Sequence, residues 1–257
     1  MPEPSPVGPA HTVGVLYPGY AAEDDYPLLD RLVGDTRFVV QHTSVGEDAH
    51  RVDALLDLGS AERLADGAEA LRSSAPDAVL WGCTSGSFVF GPDGAREQAD
   101  RLGRALGVPA SSTSLGYLAA VRRLGVRRVA IAATYPDEVA TSFADFLTAE
   151  GVEVLAVSGN GIVTATEVGT LGRDRVLDLA RRGDHPDAEA LLLPDTALHT
   201  VAWLAELEEA VGKPVLAANQ VTAWEGLRLL GTLSPREQLG TLWRADPDPA
   251  GMRVAPS

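Results

Sequence analysis

The chain has 257 residues, of which 45% are hydrophobic and 22% charged, and its formal net charge is −15. This length and composition allow a sizeable core, in one large α/β domain or two small ones. The acidic charge, without any basic stripe, argues against nucleic acid as a partner. No apolar run approaches the ~18 residues of a membrane span, and the Pro-rich start carries Glu3 instead of the basic residues of a signal peptide. We therefore expect a cytoplasmic protein with no membrane contact.

The chain alternates short β-branched or Leu-rich runs with amphipathic stretches, a pattern typical of parallel sheets covered by helices. Two of the predicted helices cover residues 94–106 and about 137–150, the second opened by Pro136 and ended by Gly151. The predicted strands cover residues 13–17, 38–41, 78–82, 129–133, 152–157, 190–193 and 215–217.

A weak internal repeat relates the two parts of the chain. The run from Ala78 to Cys83 resembles the run from Ala190 to Asp195, so that Asp195 stands where the first part has Cys83. We predict an α/β fold of two pseudo-symmetric halves, each a parallel sheet flanked by helices, with the active site in the cleft between them. The predicted division gives residues 12–117 and 220–244 to the first half, 118–219 to the second, and 1–11 and 245–257 to disordered tails.

Cys83 is the only cysteine, which excludes an intramolecular disulfide and a zinc site built from cysteines. The five histidines show no metal-ligand spacing. The only lysine, Lys213, stands just before a predicted strand, a poor place for a buried Schiff-base amine. We therefore expect an activity that needs no metal, no pyridoxal phosphate and no other cofactor.

Cys83 follows an apolar strand and leads into the small-residue turn Thr84-Ser85-Gly86-Ser87. Backbone N–H groups and the Thr84 and Ser85 hydroxyls in this turn can converge on an anion beside the thiol. We expect these donors to lower the pKa of the thiol and to favour a thiolate, as nucleophile or proton acceptor. The alternative is a small buried residue at a strand end with no chemical role.

Asp195 and Thr196 are predicted to open a helical segment, so Asp195 is either an N-cap or a general acid/base partner of Cys83. His199 lies four residues later, on the same face of that predicted segment, and could assist Asp195 or stand at the rim.

Tyr135 and Asn160 each follow a second-half strand and offer a phenol and an amide to a bound carboxylate. Either could equally be part of a plain turn.

In combination, these motifs resemble the maleate isomerase and arylmalonate decarboxylase branch of the aspartate/glutamate racemase superfamily, over about residues 12–232. The motifs that carry the resemblance are Gly82-Cys83-Thr84-Ser85-Gly86-Ser87, Thr134-Tyr135 with Asp137-Glu138, Asn160-Gly161-Ile162, and Lys213-Pro214-Val215-Leu216 with Asn219-Gln220 and Trp224.

The resemblance implies two similar halves, no cofactor, a small carboxylic acid in the cleft and a plausible homo-oligomer. In the isomerases two cysteines flank the substrate, and Cys83 matches the first, which adds to the alkene. In the decarboxylases the first position is Gly, and the second cysteine protonates an enediolate. This chain has Asp195 at the second position. Expected substrate contacts are Thr84, Ser85, Tyr135, Asn160, Thr196 and Pro18.

The loop after Pro18 is acidic and lacks an Asn that similar isomerases carry there. An acidic loop would repel a second substrate carboxylate, which favours a mono-acid, or an amide-bearing or cationic analogue, over maleate. The expected function is a cofactor-independent isomerase that works through a Cys83 thiolate with Asp195 opposite. Two alternatives stay open: decarboxylation or amino-acid racemisation through an enediolate, and a non-catalytic protein that binds a small acid.

Overall fold

The computed structural model describes residues 9–244, which contain two four-stranded parallel sheets. The first sheet has the order β2-β1-β3-β4 and the second the order β6-β5-β7-β8, so the two orders are equivalent. The predicted fold of two pseudo-symmetric α/β halves is confirmed. The strands are β1 (His11–Pro18), β2 (Thr36–Thr43), β3 (Ala78–Trp81), β4 (Ala110–Ser112), β5 (Arg128–Ala132), β6 (Glu153–Ser158), β7 (Ala190–Leu193) and β8 (Val215–Ala217).

Twelve α-helices connect and cover the strands within this described part of the chain, and none of them is long and apolar enough to cross a membrane. Three short 3-10 helices cover Arg72–Ser74, Val201–Trp203 and Glu237–Leu239. The α-helices are α1 (Asp25–Val33), α2 (Val52–Leu58), α3 (Ala61–Leu71), α4 (Ser85–Phe88), α5 (Gly91–Leu106), α6 (Thr113–Leu124), α7 (Asp137–Ala149), α8 (Ala165–Val168), α9 (Arg173–Gly183), α10 (Leu204–Val211), α11 (Ala218–Leu230) and α12 (Thr241–Arg244).

The strands β3 and β7 are buried along their whole length. Parallel strands covered by helices on both faces are typically continuous apolar runs, which is why these two were predicted to within a residue. The predicted bounds of β7 and β8 match the structure, whereas β1 and β2 extend beyond theirs. Strand β4 was not predicted, because its sequence Ala-Ser-Ser is short and polar.

The helix that follows the last strand of each sheet contacts a strand of the other sheet. Tyr117 of α6 donates its hydroxyl hydrogen bond to the Leu193 carbonyl of β7, at 2.6 Å. Helix α11, which follows β8, packs against α6 and against β3.

The division into domains stays a prediction. His11 lies in β1 although the predicted tail includes it, whereas residues 1–8 and the predicted tail 245–257 lie outside the described residues.

Candidate active site

Cys83 lies in the turn between β3 and α4 and is only 3% exposed. The Gly86 N–H donates to Cys83 Sγ at 3.3 Å, and Ser85 Oγ lies 3.7 Å from the sulfur. A Cβ atom at Gly86 would stand 3.1 Å from that sulfur, a tight contact. The chain therefore brings a backbone donor close to the sulfur at a position that suits glycine.

Burial raises the pKa of the Cys83 thiol to about 11, against the opposing effect of hydrogen bonds from Gly86 and Ser85. The nearby Asp195 carboxylate raises this pKa further. The expectation of a lowered thiol pKa is therefore wrong for this structure. At neutral pH the group is a thiol, because desolvation outweighs the donors.

Asp195 follows Pro194 directly after β7 and is 4% exposed. The Ala197 N–H donates to Asp195 Oδ1 at 2.9 Å, and the Thr134 hydroxyl donates to Oδ2. The predicted helix opening at Asp195 is wrong: residues 196–198 form a turn and a bend, and the next helical element begins at Val201. Asp195 thus caps a turn, as Asp side chains commonly do two residues ahead of a backbone N–H.

His50, in the loop between β2 and α2, is a cleft residue that the sequence analysis missed. Its Nδ1 lies 2.9 Å from the Ile162 carbonyl oxygen, and its Nε2 lies 4.0 Å from Asp195 Oδ2. The ring stands edge-on to Tyr135, with 4.8 Å between centroids. No sequence signal could have found it, because its partners lie more than 80 residues away along the chain.

A cleft of about 290 Å³ lies between the two halves and brings together several predicted residues: Cys83, Ser85, Asp195, Thr196 and Pro18. None of the described residues that line it is Lys or Arg. The other lining residues are Tyr17, Gly19, Tyr20, Val45, Glu47, Asp48, Ala49, His50, Leu55, Leu58, Ala165, Thr166 and Ala197.

Four other predicted residues do not line this cleft. The buried Tyr135 hydroxyl donates to the Pro194 carbonyl at 3.1 Å, and the Asn160 amide donates to the Ala133 carbonyl at 2.8 Å. The Thr84 hydroxyl is buried without a hydrogen-bond partner among the described residues. His199 Nε2 lies 2.7 Å from Asp24 Oδ1, at the partly exposed rim. It shares no helical face with Asp195, because no helix joins them.

Residues of β1, α1 and α11 hold the turn that contains Asp195. Tyr17 donates its hydroxyl hydrogen bond to the Thr196 carbonyl at 2.8 Å. The Asn219 amide donates to the same carbonyl and to Asp25 Oδ2, each at 3.1 Å. Asp25 also accepts from the Thr200 N–H at 3.2 Å. Burial raises the pKa of Asp25 to about 6, and the hydrogen bonds from Asn219 and Thr200 limit the increase.

Residues 9–244 contain no group of three or more His, Cys, Asp or Glu side chains arranged to hold a metal ion. Independence from metals stays a prediction. Chemically, the cleft offers a thiol, a carboxylate and an imidazole to one small molecule, together with the neutral hydroxyl of Ser85.

The chain is similar in sequence to proteins of known activity. The sequence profile of the arylmalonate decarboxylase family matches residues 55–243. Arylmalonate decarboxylase of Bordetella bronchiseptica is 28% identical over 204 residues, which are 78% of this chain and 83% of that protein. Maleate isomerase of Nocardia farcinica is 26% identical over 182 residues, 68% of this chain and 72% of that protein.

Solved structures show the same fold. An arylmalonate decarboxylase mutant in its liganded form, with a glycine changed to cysteine and a cysteine changed to serine, has a TM-score of 0.81 at 27% identity, covering 90% of this chain and 98% of that one. A mutant of a Nocardia farcinica maleate cis-trans isomerase with a covalently bound succinylcysteine intermediate has a TM-score of 0.83 at 22% identity. The superposition covers 92% of this chain and 99% of that one.

Proposed function

The chain belongs to the arylmalonate decarboxylase family of cofactor-independent enzymes, and we propose that it isomerises a small carboxylic acid through Cys83. The resemblance inferred from the motifs is thereby confirmed. The observation that carries the proposal is that Cys83 and Asp195, at equivalent strand ends of the two sheets, line one cleft. Addition or proton transfer at one substrate carbon needs reactive groups around that carbon.

The lining of the cleft favours a substrate with one carboxylate and an apolar group. A single carboxylate can accept hydrogen bonds from neutral donors such as the Ser85 hydroxyl. The acidic side chains of the cleft would repel a second carboxylate on the substrate. No Lys or Arg among the described lining residues could offset this repulsion. Val45, Leu55 and Leu58 offer an apolar wall to the rest of the molecule.

In the proposed reaction, Cys83 Sγ bonds to one alkene carbon as its S–H proton leaves to an acceptor in the cleft. The alkene π electrons move into the carboxylate, which becomes an enediolate. The former double bond is then a single bond and rotates. Reversal breaks the C–S bond, restores the alkene in its other geometry and returns the proton to sulfur. The covalent succinylcysteine of the Nocardia isomerase supports such an addition in that enzyme.

The raised pKa of the Cys83 thiol favours a second candidate function, in which this thiol protonates an enediolate. A thiol with a pKa of about 11 holds its proton at neutral pH and can donate it to a carbanion-like carbon. Such a step would complete a decarboxylation or a racemisation. The sequence similarity to arylmalonate decarboxylase supports this candidate.

The two candidates are separated by incubating the protein with cis-but-2-enoate, maleate, phenylmalonate and one enantiomer of 2-phenylpropanoate in D₂O, followed by NMR and chiral chromatography. Geometric isomerisation of an alkene without deuterium uptake supports addition. Loss of CO₂, or inversion with deuterium at the α-carbon, supports enediolate protonation.

Intact-mass measurement in the same experiment detects an adduct on Cys83, the only thiol of the chain. Prior dialysis against a chelator tests independence from metals, and we expect no loss of rate. If no acid is converted, no adduct forms and an acid nevertheless binds, the protein is a small-acid-binding member of the family and the proposal is wrong.

A further inference from the structure

His50 lines the same cleft, and it has no role in the reaction described so far. We propose that His50 Nε2 is the group that takes the proton from Cys83 and returns it, while Asp195 stabilises the protonated ring. This inference rests on the proposed function, because it names the proton acceptor of the addition step. It pairs the imidazole of His50 with the carboxylate of Asp195 in one cleft.

The hydrogen bond at Nδ1 fixes the tautomer of the neutral ring. A backbone carbonyl only accepts hydrogen bonds, so Nδ1, at 2.9 Å from the Ile162 oxygen, carries the hydrogen. Nε2 then has a free lone pair, and it makes no hydrogen bond among the described residues. His50 is 8% exposed and lines the cleft, so this lone pair is available to a molecule bound there.

Contacts across the cleft hold the His50 loop in place. The His50 N–H donates to the Val163 carbonyl at 2.7 Å. Two residues earlier, Asp48 Oδ1 accepts from the Ala165 N–H at 2.8 Å, and Oδ2 accepts from the Thr166 hydroxyl at 2.6 Å. The imidazole therefore belongs to a first-half loop that is bound to the second half, as a positioned proton carrier requires.

Asp195 is poorly placed to carry the proton itself. Both of its oxygens already accept hydrogen bonds, from the Ala197 N–H and the Thr134 hydroxyl. Its Oδ2 lies 4.0 Å from His50 Nε2, too far for a hydrogen bond, so it leaves the lone pair free. At that distance in a buried site, the negative charge still attracts a protonated imidazole.

The step balances without any further reactant. The S–H bond of Cys83 breaks as sulfur bonds to the alkene carbon, and one water molecule in the cleft relays the proton, so that an N–H bond forms at His50 Nε2; the relay is needed because the two side chains share the cleft without a hydrogen bond to each other among the described residues. When the C–S bond breaks, the thiolate takes this proton back. A thiol that burial keeps protonated needs such an acceptor, because it does not ionise alone at neutral pH.

Two substitutions separate the proton-carrying role of His50 from its structural role. In His50→Asn, the amide nitrogen can replace Nδ1 and keep the Ile162 bond, but nothing replaces Nε2. In His50→Gln, an amide group reaches toward the Nε2 position but cannot exchange protons. His185→Gln is the matched control, because His185 lies outside the cleft and its Nδ1 accepts from the Asp187 N–H.

The first readout is the addition of Cys83 to N-ethylmaleimide, an activated cis-alkene, followed by intact mass at pH 7. It needs no natural substrate, and the single thiol makes it specific. We expect both His50 variants to react on the order of tenfold more slowly than the parent chain or more. The parent and His185→Gln should react equally fast. Equal rates in all four proteins would overturn the proposal.

The second readout is turnover of cis-but-2-enoate against pH. We expect kcat of both His50 variants to fall about 10²-fold, with KM changed far less, and the shape of the kcat–pH profile to differ from that of the parent. Asp195, Asp48 and Tyr135 lie near the imidazole, and the cleft also holds Tyr17, Tyr20, Glu47 and Cys83. All of these charged or titratable groups are unchanged in the two variants. An unchanged kcat and pH profile in His50→Asn would contradict the role. If the parent converts no acid but its maleimide addition depends on His50, the proposed function fails and this inference survives.

Discussion

The turn after β3 and the turn after β7 stand at equivalent places in the two sheets, and each presents one reactive side chain to the cleft. Their chain geometry differs. After β3 the chain enters α4 almost at once, and the Gly86 N–H of that helix contacts the Cys83 sulfur. After β7, Pro194 precedes a turn without a helix, and Asp195 binds a backbone N–H of its own turn.

The two turns also differ in what holds them. The donors to Cys83 are Ser85 and Gly86, two and three residues after it. The turn of Asp195 is instead bound by Tyr17, Asp25 and Asn219, which lie on β1, α1 and α11. Substitution of Cys83 should therefore reduce the activity alone. Substitutions around Asp195 should affect both the activity and the packing of the two halves against each other.

The largest expected effect is that of Cys83→Ser, which removes the thiol but keeps a hydroxyl that can accept from Gly86. We expect kcat to fall on the order of 10³-fold or more, because a serine hydroxyl is a far weaker nucleophile and acid. The free energy of unfolding, measured with urea, should change by about 1 kcal/mol or less. A variant that keeps most of the parent kcat would show that Cys83 is only a packing residue.

Asp195→Asn should reduce kcat about 10²-fold, because the negative charge beside His50 is lost. The fold should persist, since the Asn oxygen can still accept from Ala197 and the Thr134 hydroxyl can turn to accept from the new amide. Steady-state kinetics and thermal unfolding on the same sample test both statements. An unchanged rate would leave Asp195 with its turn-capping role alone.

Asp25 should make stability depend on pH. Its pKa in the folded protein is about 6, above the 3.8 of an exposed carboxyl. The folded state therefore keeps this proton over a pH range in which the unfolded chain has lost it, so the free energy of unfolding decreases as pH rises from about 4 to beyond 6. We expect this decrease to be on the order of 2 kcal/mol.

Urea unfolding of the parent and of Asp25→Asn at pH 4.5 and about pH 7.5 measures this contribution as a difference. The variant should lose less stability between the two values than the parent does. Asp93→Asn, at a fully exposed carboxyl, serves as the control and should follow the parent. A parent and Asp25→Asn with the same pH dependence would argue against a protonated Asp25 in the folded state.

The smallest expected effect is that of His199→Gln. This residue lies at the rim, paired with the exposed Asp24, and does not line the cleft. Exposed pairs of this kind contribute about 1 kcal/mol or less to stability. We expect kcat and KM to stay close to those of the parent enzyme. A loss of kcat as large as that of Asp195→Asn would show that His199 takes part in catalysis.

The amino-acid sequence was enough to predict the two-sheet fold and the equivalence of Cys83 and Asp195. Apolar runs such as 190–193 identify buried parallel strands, and Pro and Gly mark their ends, because these signals arise from neighbouring residues. The repeat then places the two reactive residues at matching strand ends. The motif resemblance added the family and the expected substrate class.

The protonation of Cys83, the turn at Asp195 and the presence of His50 in the cleft depend instead on tertiary packing. The thiol pKa depends on how burial balances two donors, and burial is a property of the whole packed molecule. His50 reaches Asp195 because its loop binds residues 162–166, more than 100 positions further along the chain. Contacts between such distant residues leave no pattern in local sequence, and they are made only when the two halves pack together.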